Sequence, residues 1–443
     1  MTIKLGGGQG FYGDGLGPVA DVLDAGVDYL ICEALAELTL AILQKDRQRD
    51  ETLGFTRDLP LYLQRALPFV LAGQTRFITN AGGINPVAAG RAAFDAARAA
   101  GAEGTGLKIA TIVGDDLRAK ADELGLPGAD RVLFANAYLG ARPIVEALAA
   151  GAHIIITGRV ADASLFVAPL VHEFGWHWDD WDRLAAGVAV GHLLECSGQV
   201  TGGNYSGRWW KNPDPTRIAF PLAEVEPDGS AVITKPKGTG GTVTFDTVRE
   251  QLLYEVHDPA RYLNPDVVAD FTSLAVVDQG DDRVGLRGCR GSAAPTTYKG
   301  LVCTPAGWAG ECRITYTWPD AEAKARAALA YVKDRSTEAG VPVEEWWEEY
   351  FGVNGFGGPT VRVPGGWDPP EVTGRLAWRT ANQVDAARPT EEVGVLGLSG
   401  PPGISGLGRG GGATRPTQLL AVDPFFVDRE IVDALVRVDI QEM

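Results

Sequence analysis

The chain has 443 residues, 45% of them hydrophobic and 22% charged, and a formal net charge of -17. That length buries a large core and suggests about two or three domains. The acidic balance, with no basic run and no basic amphipathic helix, excludes a nucleic-acid surface, because counterion release needs clustered Lys and Arg.

The N-terminus leads from Met1 straight into a strand-like run and a glycine loop, without a charged n-region, an apolar h-region or a cleavage site. No secretory signal is expected from it. Apolar stretches are broken by Gly, Arg or Asp before ~20 residues, so no membrane span is expected. Cys32, Cys196, Cys289, Cys303 and Cys312 form no C-x-x-C pair. They read as free thiols, not as a disulfide framework or a zinc site. His172 and His177 lie in a tract without clear helical period, and no metal-ligand spacing stands out. A cytoplasmic protein acting on a small molecule is the default expectation.

In chain order, Ile3 to Leu5 reads as a strand ending in GGGQGFYGDG, and Leu16 to Asp24 as a helix. VDYLIC is a strand, Ala36 to Leu43 and Leu61 to Leu71 are helices, and RFITN is a strand ending in AGGINP. Pro86 to Ala100 is an alanine-rich helix, KIATIVG a strand ending in Asp115 and Asp116, Leu133 to Leu148 partly helical, and HIIITG the next strand. Alternation of apolar strands with helices, with glycine turns at the strand ends, predicts a parallel sheet covered on both faces. Ligands in such sheets sit beyond the carboxyl ends of the strands. That places Asp14, Glu33, Asn80, Asp115, Asp116, Arg159 and Asp162 toward one rim, where each also suits helix capping.

After Tyr205 the pattern changes. Ala219 to Thr234 predicts a hairpin with its turn at Asp228 and Gly229. A helix from Asp246 to Leu253, strands around Leu274 and Val284, and a helix over AEAKARAALAYVKDR follow, before a Gly- and Pro-rich final stretch including Gly400 to Pro416. The predicted fold class is α/β: an N-terminal parallel-sheet α/β domain over residues 1–205, followed by a mixed α+β domain over residues 206–443.

The densest chemistry lies between Thr157 and Tyr205. His192, Glu195 and Cys196 fall at i, i+3 and i, i+4 on one predicted helix, so they share a face. Histidine and glutamate are the usual proton-transfer groups near neutral pH. The same pattern also suits a buried histidine satisfied by a carboxylate, and Cys196 suits either a nucleophile or a small buried hydrophobe. Gln199 and the Thr201-Gly202-Gly203 run add backbone N–H groups that could hold an oxyanion. Trp176, Trp178 and Trp181 read as packing residues of a core or an interface. Lys235, followed by a loop containing Gly240 and Gly241, is a candidate anion site without the residue order of a P-loop. Gly8, Gly10 and Gly13 fit a dinucleotide fingerprint, with Glu33 at the end of the next strand. Asp14, however, puts a carboxylate where a pyrophosphate needs a bare helix start.

G-F-Y-G-D (Gly10 to Asp14), L-A-E-L-T (Leu35 to Thr39), T-N-A-G-G-I-N-P (Thr79 to Pro86) and T-G-R-V-A-D (Thr157 to Asp162) appear in that order. G-H-L-L-E-C-S-G-Q-V-T-G-G-N (Gly191 to Asn204), K-P-K-G-T-G-G-T-V (Lys235 to Val243) and Q-L-L-Y-E-V-H-D-P (Gln251 to Pro259) follow. On these motifs the chain resembles the acyclic terpene utilisation (AtuA) family over roughly residues 3 to 360. The resemblance implies a metabolic setting of branched acids or their acyl-CoA thioesters, and assigns the glycine loop to the family's own pattern. Longer members carry a small ferredoxin-like domain with a serine-glycine-aspartate-lysine motif, absent here, which implies a separate small partner or independent action.

The combined expectation is an enzyme acting on a small branched or hydroxylated carboxylic acid or its acyl-CoA thioester by hydratase- or lyase-type proton transfer. His192, Glu195, Asp162 and Cys196 are the catalytic candidates. Asp14, Asn80, Arg159, Gln199, Gly202, Gly203, Lys235, Gly240 and Gly241 are the substrate-binding candidates. No cofactor is firmly implied beyond coenzyme A as part of the substrate, and no metal. The tryptophans and the glycine-rich C-terminal third suggest a homo-oligomer. The alternatives are a dinucleotide-dependent oxidoreductase and a non-catalytic subunit that works with the ferredoxin-like partner.

Overall fold

The computed structural model describes residues 1–406 and 415–443, so part of the Gly- and Pro-rich stretch from Gly400 to Pro416 lies outside the described residues. The chain divides into two compact units, Met1–Cys303 with Val422–Met443, and Thr304–Ala421.

The centre of the first unit is parallel. Strands β1 (Ile3–Gln9), β2 (Tyr29–Cys32), β3 (Arg76–Thr79), β4 (Lys108–Val113) and, after the short β5 (Phe134–Ala137), β6 (Ile154–Thr157) alternate with helices. The helices are α1 (Gly17–Asp24), α2 (Glu37–Arg49), α3 (Leu59–Leu71), α4 (Pro86–Ala99), α5 (Arg142–Ala149), α6 (Ser164–Phe174) and α7 (Trp181–Leu194). The strands lie side by side as β1-β2-β3-β6-β4 with parallel pairing throughout. Successive side chains point to opposite faces. Tyr29 and Ile31 therefore enter one core with Ile144, Leu165 and Leu184, while Leu30 and Cys32 enter a second with Val19, Leu63 and Ala93. Burial on both faces is why these strands carry no polar alternation.

The sheet is mixed, where the sequence predicted a parallel one. Strand β7 (Leu222–Val225) pairs antiparallel with β1 and forms the expected hairpin with β8 (Ala231–Thr234). After α8 (Phe245–Leu253), β9 (Tyr262–Asn264) and β10 (Val267–Asp270) begin a small separate sheet. Strands β11 (Ala275–Asp278) and β12 (Val284–Arg287) then extend the main sheet from β8, and β13 (Arg290–Ser292) completes the small one. The edge of β1 would leave backbone groups unpaired, and β7 satisfies them. The composition change at residue 205 therefore marks a switch from parallel to antiparallel pairing within the first unit, and the units divide elsewhere than at the expected boundary.

Strand β14 (Thr297–Thr317) pairs through Gly300 to Cys303 with β5 in the first unit. In the second unit its later residues pair with a central strand flanked by β15 (Glu345–Phe351). That central strand is β16 (Glu371–Thr380), and β17 (Ile404–Gly406) lies along β14. The expected helix, α9 (Ala321–Glu338), buries Ala325, Leu329 and Val332 against Ile314, Val372 and Leu376. The chain returns through β18 (Thr417–Asp428), and β19 (Arg437–Glu442) closes the β4 edge of the first unit antiparallel. Among the described residues, no helix is long and apolar enough to cross a membrane.

Candidate active site

Two cavities lie beyond the carboxyl ends of the parallel strands, of about 590 and 480 Å3. Leu35, Ala36, Asp162 and Glu255 line both, so the cavities adjoin. Arg159, Tyr138, Tyr262, His257 and Lys299 line the first, and Asp14, Glu33, Glu195, Cys196, Gln199 and Gly203 the second. This is the rim that the topology predicts, and both cavities belong to the first unit.

Arg159 organises the rim. It is 1% exposed, one of the largest fully buried side chains of the molecule. Its own amide donates to Asp115 Oδ2 at 2.8 Å, and Asn136 donates to the same oxygen at 2.8 Å, which fixes the turn after β6. The guanidinium donates to the carbonyls of Leu35 and Val160 and to Asp162, and lies 4.3 Å from the centre of the Tyr138 ring. Asp162 is also close enough to Glu33 to hydrogen-bond with it. Asn80 is wholly buried and holds the other side of Glu33, its amide nitrogen 2.9 Å from Oε1 while its oxygen accepts from Ala34 N at 2.7 Å.

Two carboxyls around one guanidinium cannot both ionise without leaving a net negative charge in a largely buried site. Burial first and Asp162 second push Glu33 well above the usual carboxylate range, against the pull of Arg159. Burial likewise raises Asp162, again opposed by Arg159. The pair therefore retains a proton that an isolated carboxylate would lose.

A second proton-holding pair lies beside the adjoining cavity, with only Glu195 on its wall. Helix α7 is buried on nearly all sides, as a helix with an apolar circumference must be. It ends at Leu194, with Glu195 as its cap still in helical conformation, so the i, i+3 spacing brings His192 Nδ1 to 2.8 Å from Glu195 Oε1. Gln251 donates to the His192 carbonyl at 2.9 Å, and the imidazole packs on Tyr262 and Phe271. Burial opposes charge on His192, but the Glu195 charge and hydrogen bond outweigh it and raise its pKa. Burial lifts Glu195 to about 7, with His192 pulling the other way. Glu195 lines the cavity and its Oε2 has no hydrogen-bond partner, whereas His192 lines neither cavity.

Other expected residues are placed differently. Cys196 lines the second cavity, but burial holds its thiol well above the usual range, so it is no thiolate near neutrality. The amides of Gly202 and Gly203 donate to the carbonyls of Gln199 and Gly198, so they are not the free donors that an oxyanion hole requires. Lys235, Gly240 and Gly241 line neither adjoining cavity. Lys235 Nζ donates to Thr239 O at 2.8 Å and pairs with Asp282 at 3.2 Å beside a different cavity, and Gly241 N donates to Pro213 O. Arg159 and Lys235, both expected to bind substrate, therefore serve separate places, and Lys235 lies outside the adjoining cavities.

The glycine fingerprint has a packing explanation. A Cβ on Gly7 would come within 2.9 Å of Leu194 O, and one on Gly10 within 2.8 Å of backbone atoms of Cys196 and Ser197. Gly7 and Gly10 let the segment that ends α7 lie directly on β1, while a Cβ on Gly8 would meet Leu30 and Cys32 of β2 and Gly13 takes a positive φ of 93°. Asp14 accepts from Gly10 N at 3.0 Å and Gly15 N at 2.7 Å, and Asp58 accepts from Gly13 N at 2.9 Å. The protein's own carboxylates take the donors that a pyrophosphate would need, which speaks against the oxidoreductase alternative.

Strand-end topology and the dinucleotide fingerprint both pointed to Glu33, but nothing in the sequence assigned Tyr138, Glu255, Tyr262 or Lys299 to the site. For Glu255 and its neighbour His257 the available signal was the motif Gln251–Pro259, which contains both. Among the described residues, no group of three or more His, Cys, Asp or Glu is arranged to hold a metal ion.

No curated protein matches this chain. The model of one family, described as acyclic terpene utilisation family protein AtuA, matches residues 3–438, well past the point near residue 360 where the recognisable motifs stop. The chain belongs to the acyclic terpene utilisation family.

Proposed function

We propose that this protein is an enzyme that moves a proton at the carbon next to the carbonyl of a branched or hydroxylated acyl thioester, in hydratase- or lyase-type chemistry. The observation that carries the reading is Glu195: a buried carboxyl on a cavity wall, with one oxygen held by His192 and the other unpartnered. Such a group accepts and returns a proton near pH 7, where general acid–base catalysis is most effective. His192 acts behind it as the positioning partner and Arg159 holds Asp162 at the neck between the cavities. Arg159 and Lys299 are the cations that line the cavities and face the charge that gathers on the carbonyl oxygen.

The cavity walls favour a thioester over a free acid. Glu37, Asp162 and Glu255 line the first cavity beside Arg159 and Lys299, and Lys299 already pairs with Glu37 at 2.9 Å. A free carboxylate meets repulsion there, whereas a thioester carbonyl carries no charge. Leu38, Leu263 and Phe426 line the same cavity with side chains largely open to solvent, a surface suited to a branched aliphatic group. The test is a thermal-shift series with branched 3-hydroxyacyl and 2-enoyl coenzyme A thioesters beside the matching free acids. A ligand at ~100 times its Kd adds about 2.7 kcal/mol of stability. Thioesters are expected to shift the midpoint and to be turned over by the wild type, with turnover lost in Glu195→Gln. Stabilisation by the free acids alone, or turnover unchanged in Glu195→Gln, contradicts the proposal.

A further inference from the structure

We infer that Glu255 is a second catalytic carboxylate, the one that handles water or hydroxide while Glu195 handles the carbon-bound hydrogen. The inference rests on the reading of Glu195 above. Glu255 lies in the loop 254–261 between α8 and β9 and lines both cavities, as Asp162 does from the turn after β6. Its backbone sits at φ +58, in the left-handed region that a glutamate seldom enters. The Tyr254 hydroxyl hydrogen-bonds to its carboxylate. A strained, non-glycine residue whose side chain lines the neck of two cavities is the kind of position where a fold accepts local cost for function. The solvent exposure of Glu255 contrasts with the burial of Glu195, which separates a water-facing group from a carbon-facing one.

The roles follow from this division. In hydration, Glu255 takes a proton from water as the water oxygen bonds to the β-carbon. The double-bond electrons move to the α-carbon and carbonyl oxygen, and protonated Glu195 gives its proton to the α-carbon. In dehydration, Glu195 removes the α-hydrogen and protonated Glu255 gives its proton to the departing hydroxyl, which leaves as water. Atoms and charge balance in both directions, with no further reactant.

Two assays on one set of variants separate this inference from its foundation. The probes are the coenzyme A thioesters of 3-hydroxy-3-methylbutanoate and 3-methyl-2-butenoate. The first assay follows exchange of the α-hydrogens of the hydroxyacyl probe in D2O, which needs Glu195 alone. The second follows addition of water to the enoyl probe, which needs both carboxylates. Glu255→Gln is expected to lose water addition by about 10²- to 10⁴-fold, the contribution usual for a general base, and to slow exchange far less, so that the ratio of the two rates falls. Glu195→Gln is expected to lose both. Asparagine tolerates the left-handed region, so Glu255→Asn is expected to hold or raise the thermal midpoint while losing water addition. Wild-type exchange with water addition unimpaired in Glu255→Gln overturns the inference and leaves the Glu195 reading intact. Equal loss of both activities in Glu255→Gln, or a lowered midpoint in Glu255→Asn, assigns the residue a bracing role and also overturns it. Absence of both activities in the wild type overturns the Glu195 reading itself.

Discussion

At the scale of single residues, burial sets the chemistry. Glu195 is raised to about 7 by loss of water around it, and His192 moderates the rise. A reaction that needs protonated Glu195 should slow as the pH passes upward through about 7, and the reverse direction should speed up. His192→Ala removes the moderating partner, so the Glu195-dependent limb of the kcat/KM profile should move to higher pH. An unmoved limb would remove His192 from the proton-transfer pair. Asp115, pushed up to about 7 by burial, makes a separate prediction for stability. Its folded pKa lies above the unfolded value of about 3.9, so between those values the native state binds more protons than the unfolded one. Stability from this group is complete below about pH 4 and is lost as the pH rises through 7. Asp115→Asn should therefore gain stability relative to wild type as the pH rises from 5 to 8, read from denaturant midpoints. A gap that does not widen over that range would contradict the assignment.

At the scale of elements, the spacing of His192 and Glu195 was legible because it depends on one helix. The pair at His192 and Glu195 needed only the i, i+3 geometry of α7, and the strand-end acids needed only the alternation of strand and helix. What was not legible depends on contacts between distant segments. Gly202, Gly203 and Gly241 read as free donors because sequence does not reveal which carbonyls their amides meet. Lys235 read as part of the site because nothing local reveals its partner Asp282. The glycine fingerprint misled for the same reason: Gly10 is small so that the segment after α7 can rest on it, and Gly8 so that β2 side chains can. Gly10→Ala should accordingly cost about 1–3 kcal/mol through overpacking against the Cys196–Ser197 backbone. Chemical denaturation checks this, and a neutral substitution would show that the loop accommodates a side chain.

At the scale of the molecule, the chain closes its first unit with residues from both ends. Strand β19 takes the open edge of β4, with Arg437 to Glu442 in register against Val113 to Lys108. Tyr298 donates to Asp433 and Arg429 donates to Tyr298, tying the returning segment to the strand that precedes it. Deleting residues 437–443 should unpair β4 and lower the thermal midpoint by several degrees. An unchanged midpoint would show that the edge needs no cover. Neither β19 nor the antiparallel extension beyond β1 was foreseen, since strand pairing across hundreds of residues leaves no local pattern. The proposed acid–base centre lies within this closed unit, and its most direct test requires no knowledge of the natural substrate. Branched acyl coenzyme A thioesters are incubated with the protein in D2O, and loss of the α-hydrogen signal is followed by proton NMR, wild type beside Glu195→Gln. The acid–base role of Glu195 predicts wash-out by the wild type and a rate at least about 100-fold lower in the variant. Wash-out at equal rates in both proteins, or none by the wild type with any thioester tested, would contradict it.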